Sequence, residues 1–183
     1  MIDEVQSGIG RTGDFLGYRQ SGISPDAVAL AKGLGGGFPI GAFWISDQWS
    51  AVFKPGSHGT TFGGSPLACA AAHAVLDVME NDGLVEAAQE KGLVLHAGLS
   101  RLVERFPTML EEVRGRGLMI ALAMKNDPAE LIASLREKGL LVVGAAGNAI
   151  RFLPPLNVDD AEIEQALNIT EDALASCQTK KSE

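Results

Sequence analysis

Lys32 and Asp3 are the residues of this sequence with the most chemistry to offer. Lys32 follows a short apolar run, residues 27–31, and opens the glycine-rich stretch Gly33-Leu34-Gly35-Gly36-Gly37. A lysine withdrawn from water loses its preference for the charged form, and the neutral amine attacks a carbonyl carbon to form a Schiff base. Glycines beside it let something bulky come close. Asp3 stands at the end of another extended segment, in Asp3-Glu4-Val5-Gln6. In open α/β sheets the carboxyl ends of strands line one crevice. An acid and a lysine at two such ends are the minimal set for pyridoxal phosphate: the lysine holds the aldehyde, and the acid pairs with the pyridinium nitrogen and keeps the ring an electron sink. Taken singly, Lys32 also has a plainer reading, a surface lysine in a loop.

Other motifs carry less. Gly8-Ile9-Gly10-Arg11-Thr12-Gly13 spells G-x-G-x-x-G. A dinucleotide fingerprint needs a long helix behind it and an acid about 20 residues on, whereas Gly17 and Gly22 interrupt the segment behind this one and Asp26 comes too early. A glycine-rich turn is the better reading. The Lys32 loop is no P-loop, because there the lysine follows the glycines and precedes Ser or Thr. His58, His73 and His96 have no helical or hairpin ligand spacing, so no metal is expected. Arg114 suits either a strand-end ion pair or planar, bidentate carboxylate recognition, with Arg116 as a near neighbour; Arg151 reads as structural.

These side chains need elements to position them. Residues 1–5 suit a strand end and residues 6–22 a turn-rich connection. Residues 27–31 and 40–46 are of strand length, with a glycine loop between them and Asp47 as cap of a short helix. Ser65 can cap a helix with Pro66 in its first turn. Residues 67–79 are almost all apolar, the mark of a helix that is buried or lies between layers, read as the connector between two domains. Residues 84–106 continue helically, with Leu84, Ala88, Leu95, Leu99, Leu102 and Phe106 on one face. Strands are expected at 110–114 and 117–124. Asp127-Pro128-Ala129-Glu130 reads as a capping box for a helix stopping at Gly139. Residues 140–143 and 149–153 are strands, and Asp159-Asp160-Ala161-Glu162 starts a last helix with the stripe Ile163, Ala166, Leu167, Thr170, Leu174, Cys177. Residues 179–183 read as a polar, frayed tail. Strands alternating with helices predict α/β or α+β layers.

Composition sets the outer bounds. The 183 residues suffice for one core or two small ones. The net charge of −8, without a basic run, argues against nucleic acid and against an anionic membrane surface. The apolar run at 67–78 is too short to span a bilayer. The 22 glycines exceed the roughly 13 of average usage and cluster in the first third. Cys69 and Cys177 match no metal spacing, and a reduced, cytoplasmic protein is the expectation. The start, Met1-Ile2-Asp3-Glu4, does not resemble a signal peptide and reads as mid-domain.

Four stretches occur in order: Asp3-Glu4-Val5-Gln6-Ser7-Gly8-Ile9-Gly10-Arg11-Thr12-Gly13, Ala31-Lys32-Gly33-Leu34-Gly35-Gly36-Gly37-Phe38-Pro39-Ile40-Gly41-Ala42, His58-Gly59-Thr60-Thr61-Phe62-Gly63-Gly64-Ser65-Pro66-Leu67-Ala68 and Val113-Arg114-Gly115-Arg116-Gly117-Leu118. Together they resemble the class III (ornithine-type) aminotransferases of fold type I, most closely those acting on acetylornithine, over essentially the whole chain. The resemblance is to the carboxy-terminal half of proteins roughly twice as long. It implies that Asp3 pairs with the pyridine nitrogen, Gln6 lies beside the phenolic oxygen, and Lys32 forms the Schiff base and shuttles the proton. It implies that Thr61, with Thr60 beside it, reaches the phosphate of a neighbouring subunit's cofactor, and that Arg114 holds the substrate α-carboxylate. The main phosphate loop, the ring-stacking aromatic, the side-chain pocket and the glutamate that switches the carboxylate arginine belong to the other half.

The resemblance further implies a partial α/β fold: residues 1–80 as the carboxy-terminal part of the cofactor-binding large domain with its connector helix, and residues 81–183 as a small α/β domain. The implied reaction moves an amino group from N-acetylornithine, or from succinylornithine, ornithine or 4-aminobutyrate, to 2-oxoglutarate, in a homodimer. A catalytically inactive remnant that folds as a non-enzymatic domain is the alternative. A cut sheet should leave strand edges open and the 67–79 helix incompletely covered.

Overall fold

The computed structural model describes residues 1–180. The chain divides into two compact units, Met1–Glu86 and Ala87–Glu183. In the first, β1 (Ile2–Asp3), β2 (Ala27–Leu30) and β3 (Ala42–Ile45) form a three-stranded sheet in that order. β1 and β2 are parallel, with Asp3 level with Ala29, and β3 is antiparallel to β2. Residues 4–26 make the connection as turns and one 3-10 segment, Gly17–Ser21, so no long helix stands behind the G-x-G-x-x-G stretch.

Two local expectations change here. The helical turn after β3 is a 3-10 segment, Asp47–Val52, and Ser46 precedes it in extended geometry, so Asp47 is its first residue rather than its cap. An acid does organise the turn, but from a distance: Asp26 Oδ1 accepts from Gln48 Nε2 at 2.7 Å and Trp49 Nε1 at 3.0 Å. α1 (Pro66–Asn81) starts as expected, with Ser65 Oγ accepting from Ala68 N at 3.4 Å. It is not buried all round: Ala68, Ala72 and Met79 are covered, whereas Leu67 is 67% and Val78 50% exposed. The turn after β2 packs against this helix, and much of the rest of its surface is exposed among the described residues.

The second unit takes most of α2 (Leu84–Arg105), then β4 (Leu110–Arg116), β5 (Met119–Met124), α3 (Ala129–Glu137), β6 (Val143–Ala145), β7 (Ala149–Phe152) and α4 (Asp160–Lys180). Its sheet is antiparallel throughout, in the order β4-β5-β7-β6. Arg116 pairs with Met119, so Gly117 and Leu118 are spent on a two-residue turn and β5 starts at 119 instead of 117. The strand expected at 140–143 forms at Val143–Ala145 instead. Its beginning is consumed by the end of α3: Gly139 is left-handed at φ 88, and Leu140 N donates back to Leu135 O at 2.9 Å, a Schellman closure.

Caps differ likewise. Asp127 Oδ1 accepts from Ala129 N, two residues on, at 2.9 Å. The reciprocal capping box belongs to α4, where Asp159 N donates to Glu162 Oε2 at 2.9 Å and Glu162 N to Asp159 Oδ1 at 2.8 Å. Thr179 and Lys180 are helical rather than frayed, with Thr179 Oγ1 donating to Ala175 O at 3.1 Å; the rest of the expected tail lies outside the described residues.

One continuous core fills this unit, from Leu99 on α2 through Leu118, Leu122 and Ile150 of the hairpins to Leu135 and Leu174 of the helices. Each such side chain contributes about 2 kcal/mol of apolar burial. α2 lies so close to the β4–β5 turn that a Cβ on Gly92 would collide with the Gly117 backbone.

Candidate active site

Asp3 and Lys32 arrive at the same end of two neighbouring parallel strands. Asp3 is the last residue of β1, and Lys32 lies two positions beyond β2. The pairing of Ile2 with Val28 and Asp3 with Ala29 fixes both carboxyl ends on one edge. Strand spacing and rise then put their Cα atoms on the order of 10 Å apart. The Asp3 carboxylate is exposed, and its Oδ1 accepts from Val5 N at 2.9 Å.

Lys32 is exposed too, so its own chain does not desolvate it, contrary to the expectation of a lysine withdrawn from water. Its amine has no hydrogen-bond or ion-pair partner among the described residues. Its backbone is left-handed at φ 45, an uncommon state for a side chain with a Cβ and one that costs about 1–2 kcal/mol. The turn it opens, Lys32–Gly35, ends on Gly36 at φ 57, where a Cβ would stand 2.7 Å from Val75 of α1.

Next to Asp3, strand alternation sends Glu4 the other way. Glu4 is 2% exposed and wholly engaged: Ser7 Oγ donates to Oε2 at 2.7 Å, Gly17 N to Oε2 at 3.2 Å and Tyr18 N to Oε1 at 2.8 Å. Its backbone continues the β1–β2 pairing, N to Ala29 O at 2.9 Å. Of two adjacent acids, one is therefore spent inside the fold and the other presented outside. Residue types and spacing assign Glu4 no part. The one signal in the sequence is Ser7, three residues on, ahead of a loop too glycine-rich to hold itself.

The other candidates lie further along the chain. Gln6 is half-buried and engaged within the chain. Arg11, on the same loop, is partly buried, and desolvation lowers its pKa from the ordinary arginine value. Thr60 and Thr61 sit on an exposed loop, where Thr60 Oγ1 accepts from Gly63 N at 3.2 Å. Arg114 belongs to the second unit, on β4, with its Nε 2.5 Å from Glu112 Oε1, the strand ion pair considered as its plain reading. Arg116 and Arg151 are each engaged by a partner. No group of three or more His, Cys, Asp or Glu suited to a metal occurs among the described residues.

Comparison with known proteins names the class. The family model for class III aminotransferases matches residues 1–174, and the chain belongs to that family. It is 49% identical over 99% of its length to acetylornithine aminotransferase 1 of Bradyrhizobium diazoefficiens, and 51% identical over 96% to the acetylornithine aminotransferase of Gloeobacter violaceus. It covers 45% and 44% of those proteins, a little under half their length. Among solved structures, acetylornithine aminotransferase from Elizabethkingia anophelis matches at TM-score 0.88 and 36% identity, over 94% of this chain and 44% of that one. Ornithine aminotransferase from Toxoplasma gondii, with pyridoxal phosphate at partial occupancy in its active site, matches at TM-score 0.91 and 34% identity, over 99% and 44%. The fold is thus part of the α/β fold of the pyridoxal-phosphate-dependent aminotransferases, a family that works on small amino and keto acids.

Proposed function

We propose that this chain is the carboxy-terminal part of an acetylornithine-type aminotransferase and carries the cofactor lysine together with one side of the cofactor site. The observation behind this is the shared strand edge of Asp3 and Lys32. The donor set fits pyridoxal phosphate: Asp3 retains an exposed carboxylate oxygen for a ring N–H, and the Lys32 amine is unengaged. When bound, the cofactor supplies an electron sink for the substrate's α-amino or ω-amino carbon.

The chain's own residues supply the remaining chemistry. Asp3 keeps the ring nitrogen protonated by charge pairing. Lys32 would hold the aldehyde through Nζ, and its free amine would serve as the general base. Gln6 donates to the phenolic oxygen. Thr60 and Thr61, with the amides of their turn, suit phosphate oxygens of a second subunit's cofactor, which makes a homodimer the working form. Arg114 takes the substrate carboxylate in a bidentate pair, exchanging Glu112 for it.

The substrates in this reading are N-acetylornithine and 2-oxoglutarate, in the cytoplasm and in the service of arginine biosynthesis; succinylornithine, ornithine and 4-aminobutyrate are the competing donors. No helix of the described residues is long and apolar enough to cross a membrane. The test is an assay of the chain with N-acetylornithine and 2-oxoglutarate, beside an absorption titration with pyridoxal phosphate. A visible band that Lys32→Ala removes, with little or no turnover, is expected of one side of a site. A band indifferent to that substitution contradicts the reading, and turnover at the level of the full-length relatives contradicts the claim that the site is incomplete.

A further inference from the structure

Two non-glycine residues of the first unit hold left-handed backbones, Ile9 at φ 54 and Lys32 at φ 45. For a β-branched residue this is an outlier that only surrounding structure can impose. Ile9 is also 3% exposed. Ile9 lies against the residue that follows Lys32. A Cβ built on Gly33, the residue after Lys32, would lie 3.5 Å from Ile9 Cβ and 3.7 Å from its Cγ2, so the Ile9 side chain packs over the start of the Lys32 turn. The loop that presents Ile9 is tied down at its base by the Glu4 carboxylate, through Ser7, Gly17 and Tyr18. Gly8 N donates to Glu4 O at 3.0 Å, and a Cβ on Gly8 would come within 2.8 Å of that oxygen, so the loop leaves the strand end in close contact with it.

We propose that the 4–18 loop is a positioning device for Lys32, with Glu4 as its anchor and Ile9 as its brace. Strain at Lys32 is sustained because Ile9 covers the turn, and strain at Ile9 is sustained because Glu4 holds both feet of its loop. The amine is thereby aimed from a backbone that would otherwise relax. The proposal rests on Lys32 as the cofactor lysine, and its test reads the backbone separately from the amine.

The experiment compares hydrogen exchange over residues 5–18, 32–38 and 119–124 in the full chain, in Glu4→Gln, in Ile9→Gly and in Gly33→Ala. Each is then treated with pyridoxal phosphate and borohydride, and label at Lys32 is referred to label at Lys138. Gln keeps the size of Glu4 but turns a donor toward donors. Glu4→Gln and Ile9→Gly are expected to speed exchange over 32–38 about tenfold, to lower the Lys32 share of label, and to leave 119–124 unchanged. Gly33→Ala, which puts a methyl in ordinary contact with Ile9, is expected to slow exchange over 32–38. Faster exchange over 5–18 with 32–38 unmoved overturns the brace. So does exchange over 32–38 at the open-chain rate in the unaltered protein, or an unchanged rate in Gly33→Ala should Ile9→Gly fail to fold. Label at Lys32 no greater than at Lys138 in the unaltered chain overturns the reading of Lys32 instead, and leaves the exchange result to judge the loop.

Discussion

The two units spend their apolar residues in opposite ways. In Ala87–Glu183, α2, α3 and α4 and the strands β4, β5 and β7 contribute to one core, and few large apolar side chains reach solvent. In Met1–Glu86, Phe43, Trp44, Trp49, Phe53 and Phe62 are 40% exposed or more, and the buried side chains that hold the sheet are small apart from Val28, Leu34, Ile9 and Met79. The same unit carries Asp3 and Lys32, a strained backbone at two residues, and open edges on β1 and β3. A sheet edge and an apolar face left open are liabilities that folded proteins normally cover. One unit buries its large apolar residues in a core of its own, while the other, which carries the candidate site, leaves most of its aromatic residues uncovered. The small share of the relatives' length covered by this chain fits that division.

The sharpest way to break this contrast is to separate the halves. Residues 87–183 expressed alone should unfold cooperatively in urea, and Leu122→Ala, at a fully buried site, should cost about 3 kcal/mol there. Gradual melting without a transition would show that the second unit is not autonomous. A smaller effect is expected in the first unit from Glu4→Ala, which strands the donors of Ser7, Gly17 and Tyr18: about 2 kcal/mol by thermal unfolding of the full chain. Lys32→Gly should go the other way, gaining about 1 kcal/mol as the left-handed backbone relaxes, while removing the amine. A loss of stability would mean that the turn is not strained. The smallest change belongs to Arg114→Gln. Its pair with Glu112 is exposed, so stability should move by less than about 0.5 kcal/mol.

Much of this is legible in the sequence because it is local. Ser65-Pro66 announces α1, the Leu95, Leu99, Leu102 stripe announces the core face of α2, and the strand shortly before Lys32 can be read from the apolar run at 27–31. The illegible part depends on distant partners. Glu4 is anchored by backbone amides of Gly17 and Tyr18, which leave no signature in residue type. The start of β6 is displaced by the hydrogen bond that closes α3, a competition between two local signals sharing Leu140. The coat of α1 cannot be inferred from its composition, since an apolar helix announces that it needs cover without saying whether the chain provides it.

The most direct measurement is peptide mapping after borohydride treatment of the chain mixed with pyridoxal phosphate. The pyridoxyl group is expected on Lys32 in clear excess over the other lysines, with loss of that excess in Asp3→Asn, which removes the charge proposed to hold the ring nitrogen. Label spread evenly over the exposed lysines, or label at Lys32 that ignores Asp3, would contradict that expectation.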